Sequence, residues 1–332
     1  MAGQAASKRP SSIRSRNARP STFPRVRPEV EEPKAMLPIN REVMPDAEFH
    51  FSEGGLSISA RIVKSRTRRV CEDTAIIFVE NGITVAGVFD GYGGNLLFSE
   101  KAAETVLKAC SKQIESGAVP DPKQLLIDAM DNVAGMSGVS NSSGGAIATI
   151  AVVSPDWTYK IASTADSAVF EVGKRVRRLL EYDYYTRLPW FSDNYEAVRE
   201  KASGTSLETY AEGRYMVCMS DTINASRTLS EDRIEVVHGE IRKNGLLLLV
   251  TEGIIKNLSI ELDSNRVVSD ISGCSDIQKM LGTYRDPEFA VKIITEEVLC
   301  RSSAKNTRVH GQTAHIPAEE DSTVIAIRRD QK

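Results

Sequence analysis

Residues 85–110 read VAGVFDGYGGNLLFSEKAAETVLKAC. The run from Val85 to Phe89 is mostly apolar and rich in residues that favour strands, so it has the character of a buried strand. It ends on Asp90 and then on glycines at 91, 93 and 94. A carboxylate beside a buried strand is unfavourable unless opposite charge or hydrogen bonds compensate it. Glycines let the backbone turn sharply there, and Gly91 can present its carbonyl to a metal with no side chain in the way. Helical spacing follows, with Ala103, Val106, Leu107, Cys110 and Ile114 on one face.

The same arrangement of acid and apolar strand recurs along the chain. Glu72 and Asp73 stand before the strand of RRVCEDTAIIF, Asp166 before that of IASTADSAVFEV, and Asp321 before that of AEEDSTVIAI, while Glu252 follows the strand of LLLLVTEGIIKNL. Taken singly, each reads more readily as a turn acid closing a strand. Several such positions together invite a shared cation. Oxygen ligands without His or Cys at ligand spacing favour Mg²⁺ or Mn²⁺ over Zn²⁺.

Apolar runs of strand character recur at residues 75–79, 83–89, 146–153, 159–163, 168–172, 246–250 and 323–327, with strand-like material beginning near Phe49. Helical patterns interrupt them at 98–114, 121–133 and 286–299. The last two open alike, with Asp121 or Asp286 as a cap and Pro122 or Pro287 in the first turn. This succession predicts an α+β fold of antiparallel sheets covered by helices. Residues 1–48 are expected to be a disordered basic arm and linker, and 49–330 one domain. The first 28 residues hold seven Lys or Arg, no acid and several prolines, which gives a flexible arm or partner-docking tail, or a transit sequence to an organelle such as the mitochondrion.

Composition narrows the function classes. The formal net charge of −3 at 26% charged residues gives no chain-wide attraction to nucleic acid. The longest purely aliphatic run, Leu246 to Val250, is far short of the ~20 residues of a membrane span, so a soluble protein is expected. Five scattered cysteines without a CxxC pair fit a reducing, intracellular compartment, cytoplasmic or nuclear. His50, His238, His310 and His315 lack ligand spacing, and Trp157 and Trp190 read as packing residues. There is no P-loop, no Cys-x5-Arg segment and no Ser-His-Asp constellation.

In this order the blocks resemble the metal-dependent PPM, or PP2C-type, Ser/Thr protein phosphatases over roughly residues 50 to 330. They comprise Arg68 followed four residues on by Glu72-Asp73, VFDGYGG, SGGAIA before a strand, the Asp166-Ser turn, the Glu252-Gly step and the closing Asp321-x-Thr strand. The resemblance implies a β-sandwich of two antiparallel sheets flanked by helix pairs, with a two-ion Mg²⁺ or Mn²⁺ centre at one edge. It implies that Asp90 bridges the ions with the Gly91 carbonyl, that Glu252 and Asp321 complete one shell, and that Glu72 and Asp73 hold the other ion through waters. Arg68 would bind phosphate, and Asp166 would help hold a weaker extra ion. Phosphoserine or phosphothreonine would then be hydrolysed by a metal-bridging hydroxide, with a phosphoprotein as substrate.

The chain departs from that pattern at several positions. Tyr92 stands where many members have a histidine, Glu252 replaces an aspartate, Lys256 replaces another metal-linked aspartate, and Ala165 replaces a glycine. GVFDGYGGN, SGGAIATIAVV and VTEGIIKNL are also similar to the pseudophosphatase adaptor of the TGF-β-activated kinase, which has lost the bridging aspartate that remains here as Asp90. The alternative expectation is therefore a catalytically impaired binding module for a kinase or scaffold, or a structural subunit. The segment DYYTRLPWFSDNYEAVREKASG keeps only an outline of the family's substrate flap, so the sequence names no substrate.

Overall fold

Two six-stranded antiparallel sheets lie face to face in the computed structural model of the chain. Its described residues are 34–37, 46–66, 68, 70–92, 97–134, 145–164, 167–180, 234–258, 260–263, 266–269, 274–302, 307–309, 312–315 and 320–330. The first sheet has the order β1-β4-β5-β6-β7-β10: Lys34–Leu37, Thr74–Glu80, Ile83–Tyr92, Gly145–Val153, Thr158–Ser163 and Glu235–Glu240. The second has the order β2-β3-β16-β11-β8-β9: Asp46–Glu53, Leu56–Val63, Ser322–Arg329, Leu246–Val250, Ala168–Val172 and Val176–Arg178. Among the described residues two small hairpins complete the strands, β12 (Ile260–Asp263) with β13 (Arg266–Ser269), and β14 (Thr307–Val309) with β15 (Gln312–His315).

Helices cover both outer faces. α1 (Leu97–Glu115) and α2 (Pro122–Ala134) pack on the first sheet. α4 (Cys274–Leu281) and α5 (Pro287–Ser302) pack on the second, beside the short α3 (Glu252–Asn257). Alternation along the strands assigns each side chain to a layer. In β5, Val85 and Phe89 face the helices while Ala86 and Val88 face the opposite sheet. In β11, Leu246, Leu248 and Val250 meet α4 and α5, whereas Leu247 and Leu249 fill the space between the sheets. A strand buried on both faces carries no polar alternation, which is why LLLLV is continuous.

Local signals set the connections. Asn81 and Gly82, at φ of 52° and 74°, form the two-residue turn that places Glu80 opposite Ile83 and fixes the β4–β5 register. Asp121 Oδ1 accepts the Lys123 N–H at 3.0 Å, and Asp286 Oδ1 accepts the Phe289 N–H at 2.8 Å. Both aspartates thus cap helices whose first residue is proline, as their sequence predicts.

Folded structure begins earlier than residue 49. β1 lies inside the stretch read as linker, and β2 starts at Asp46. A four-residue edge strand between Pro33 and Pro38 is too short to show a period, and its position follows from pairing with β4. α3, α4 and the half-exposed edge strand β10 also lack an expected counterpart in the sequence reading. Among the described residues no helix is long and apolar enough to cross a membrane.

Candidate functional site

Strand register brings the acid-bearing ends together. Thr74 opens β4 opposite Phe89, so Glu72 and Asp73 lead into β4 beside the last residues of β5, where Asp90 pairs with Ile147. In the other sheet Ser322 faces Val63 and Val324 faces Val250, which puts Asp321, Glu252 and the loop after β3 at a common end. Side chains then join the two sheets.

Asp73 makes that junction. It is 1% exposed, and its Oδ2 accepts from Thr251 Oγ1 at 3.0 Å and Thr323 Oγ1 at 2.7 Å. Its Oδ1 is buried with no hydrogen-bond partner. Burial, reinforced by the nearby Asp321 charge, pushes the Asp73 carboxyl up to about 7 despite the two threonine bonds and Arg68. Such a group needs a proton or a cation.

Asp321 organises the loop between β3 and β4. Its Oδ1 accepts the Ser65 N–H and its Oδ2 the Glu72 N–H, each at 2.7 Å. Burial raises its pKa, against the pull of those two amides, Arg68 and Lys64. Glu72 extends its own carboxylate to Arg68, whose Nη1 donates to Oε2, and Lys64 Nζ donates to the Arg68 carbonyl at 3.1 Å. Burial opposes the Arg68 charge, but Asp321, Glu72, Glu320 and Asp90 outweigh it and raise the guanidinium pKa. Arg68 is therefore a cation held in the field of four carboxylates.

Asp90 and Glu252 meet at the start of α3. The Glu252 N–H donates to Asp90 Oδ2 at 3.2 Å. Thr251 occupies the N-cap position, but its side chain makes no capping bond because its hydroxyl is directed to Asp73. Two glycines make the close packing possible. A Cβ on Gly91 would lie 2.5 Å from the Glu72 carbonyl oxygen, and one on Gly253 would lie 2.0 Å from that of Asp321. Ser99 Oγ, from the first turn of α1, donates to the same Glu72 carbonyl at 2.6 Å.

The structure thus brings Arg68, Glu72, Asp73, Asp90, Gly91, Glu252 and Asp321 to one edge. Asp166 and the Lys256 side chain lie outside the described residues. Tyr92 ends β5 opposite Gly145. The sequence reading lacks the backbone amide of Ser65 and the hydroxyls of Ser99, Thr251 and Thr323, which the structure places on these acids or on the Glu72 carbonyl. Among the described residues, no three Asp, Glu, His or Cys side chains form a ready metal cage. The donor chemistry is nonetheless that of a hard cation, all oxygen, with one buried carboxylate oxygen open at Asp73.

Other candidate groups lie elsewhere. His50 Nδ1 bonds Ser59 Oγ at 2.9 Å, and His238 sits in β10 opposite Lys160. The Cys110 thiol is pushed up to about 12 by burial and is inert. A groove of about 680 Å³, lined by Trp157, Phe51 and Arg329 among others, opens at the opposite end of the sandwich. Trp157 packs against the inter-sheet core, with the Arg329 guanidinium 5.4 Å from its ring.

No protein-family model matches the chain, and no curated protein matches it in sequence. Solved structures do match. The PP2C phosphatase domain of SpoIIE from Bacillus subtilis, with a fragment of its regulatory domain, superposes at a TM-score of 0.51 and 16% identity, over 83% of this chain and 64% of that one. The catalytic domain of the serine/threonine phosphatase PstP, in complex with two manganese ions, superposes at 0.51 and 15% identity over 82% of this chain and 97% of that one. The photosystem II phosphatase PBCP does so at 0.50 and 17% identity over 82% and 98%. With two antiparallel sheets, a helix pair on each outer face and these likenesses, the chain has the PP2C-type phosphatase fold.

Proposed function

We propose that the chain is a Mg²⁺- or Mn²⁺-dependent protein phosphatase acting on phosphoserine and phosphothreonine. The observation that supports this best is the meeting of Asp90, Asp321 and the partly unsatisfied Asp73 with Arg68 at one edge of the sandwich. Asp90, the Gly91 carbonyl, Glu252 and Asp321 would hold one ion. Glu72 and Asp73 would hold a second through waters, and Asp166 would help with a weaker third. When bound, such ions neutralise charge on a phosphoryl group and activate water.

The protein's own residues supply the rest. Arg68 has five N–H donors in a planar fork, and Nη1 alone engages Glu72, so others remain to orient a phosphate. Burial disfavours the ionised forms of Asp73 and Asp321, and a bound cation would favour them. Tyr92, at the end of β5, offers a phenolic proton in place of an imidazole. The free cysteines Cys71, Cys110, Cys274 and Cys300 fit a reducing compartment, the cytoplasm or nucleus.

A second reading is favoured by a specific observation. Both Asp321 oxygens accept backbone amides and Glu72 is paired with Arg68, so much of the edge is satisfied from within. On that reading the fold serves as a non-catalytic binding module for a kinase or scaffold. Hydrolysis of p-nitrophenyl phosphate and of a phosphothreonine peptide separates the two. The enzyme reading expects turnover that requires Mn²⁺ and falls at least ~100-fold in Asp90→Asn. Mn²⁺ binding without any turnover would favour the binding module.

A further inference from the structure

α3 is six residues long, too short to be stable alone, and its N-cap hydroxyl is turned away to Asp73. Its position must come from its surroundings. Ile254 and Leu258 are buried in the core beneath α4 and α5, which anchors one side. At the far end Arg301, in the last turn of α5, donates from Nη1 to the Asn257 carbonyl at 3.1 Å and to Asp276 Oδ2 at 2.6 Å, and from Nε to Glu297 Oε1 at 2.7 Å. Asn257 is fully buried, and its Nδ2 reaches back to the Gly253 carbonyl at 2.9 Å.

We infer that Arg301 is a positioning residue for the acid edge, holding the C-terminal end of α3 so that Glu252 stays against Asp90 and Gly253 against Asp321. The inference rests on reading that edge as a cation site. The path is short, since six residues of helix rise only ~9 Å. The guanidinium places positive charge at the carbonyl end of α3, where the helix dipole favours it, and donates to the Asn257 carbonyl there. Its fork binds α3, α4 and α5 at once, through Asn257, Asp276 and Glu297. A lysine ammonium lacks the planar geometry to reproduce that set. At the other end Gly253 has no room to retreat toward Asp321, so α3 is held between the two. Slack at Arg301 is therefore transmitted to Glu252.

The test compares the full chain with Arg301→Lys, Arg301→Gln and the control Glu296→Gln, an exposed position of the same helix, by amide hydrogen exchange without metal and by Mn²⁺ titration calorimetry. Exchange at the Glu252 amide should quicken by about tenfold or more in both Arg301 variants, with the strands β5 and β11 still protected. Mn²⁺ affinity should weaken by about tenfold or more in the same variants, and Glu296→Gln should match the parent. Arg301→Lys keeps the charge and serves if Arg301→Gln does not fold. If the Arg301 variants lose global stability but retain parental exchange at Glu252 and parental Mn²⁺ affinity, Arg301 is structural only and the inference is wrong. A parent that itself binds no Mn²⁺ removes the cation reading, and this inference with it, before any variant is compared.

Discussion

The Glu72 N–H donates to Asp321 Oδ2 at 2.7 Å, although 249 positions separate them in the chain. The same carboxylate takes the Ser65 N–H, so the loop carrying Arg68 and Glu72 in one sheet's approach is fixed by an acid that opens a strand of the other. Asp73 makes the reciprocal link through Thr251 and Thr323. The edge is thus assembled by crossed carboxylate bonds between sheets.

Removing the first link should loosen that loop. Asp321→Ala leaves the buried Ser65 and Glu72 amides without their acceptor, at a cost of roughly 1–3 kcal/mol each, partly offset by relief of the repulsion with Asp73. Urea unfolding should show a net loss of about 2 kcal/mol, with faster exchange at both amides. Unchanged stability and exchange would show that the loop is held by something else.

Asp73 sets a pH dependence whose sign can be worked out. Its folded pKa, about 7, lies above its ordinary value of 3.8. Between those values the folded chain keeps a proton that the unfolded chain has released, so stability falls as pH rises through that window. Asp321 shifts in the same direction and adds to the slope. Without divalent ions, the unfolding free energy should decline by a few kcal/mol from about pH 4 to pH 8, and Asp73→Asn should flatten most of the decline. A rising profile in the metal-free protein would contradict the placement of Asp73.

Two glycines should be intolerant for steric reasons rather than for backbone freedom. Gly91→Ala and Gly253→Ala push a methyl against the carbonyls of Glu72 and Asp321, and each should lose about 1–3 kcal/mol in urea unfolding. Gly173→Ala, whose Cβ would stand 3.8 Å from its nearest neighbour, should stay within about 0.5 kcal/mol of the parent. Equal effects at the three positions would mean that the close approaches are absent.

The strands were legible in the sequence wherever burial on both faces produced a continuous apolar run, as at Leu246–Val250 and Gly145–Val153. The capped helices were legible from Asp121-Pro122 and Asp286-Pro287. β1, β10 and α3 were not, because each is short and is placed by pairing or by Arg301 rather than by its own period. For the edge itself, spacing marked the acids but said nothing of the threonines that receive Asp73. Hydrogen bonds spanning 178 and 250 positions leave no local pattern.

On the proposed function, carboxylates from both sheets converge to hold divalent ions. Crystals soaked in millimolar Mn²⁺ and measured at the manganese absorption edge test it most directly. Anomalous density bounded by Asp90, Glu252 and Asp321 is expected, with Asp73 and Glu72 turned toward it. Ordered side chains at those five positions without anomalous density between them would contradict it.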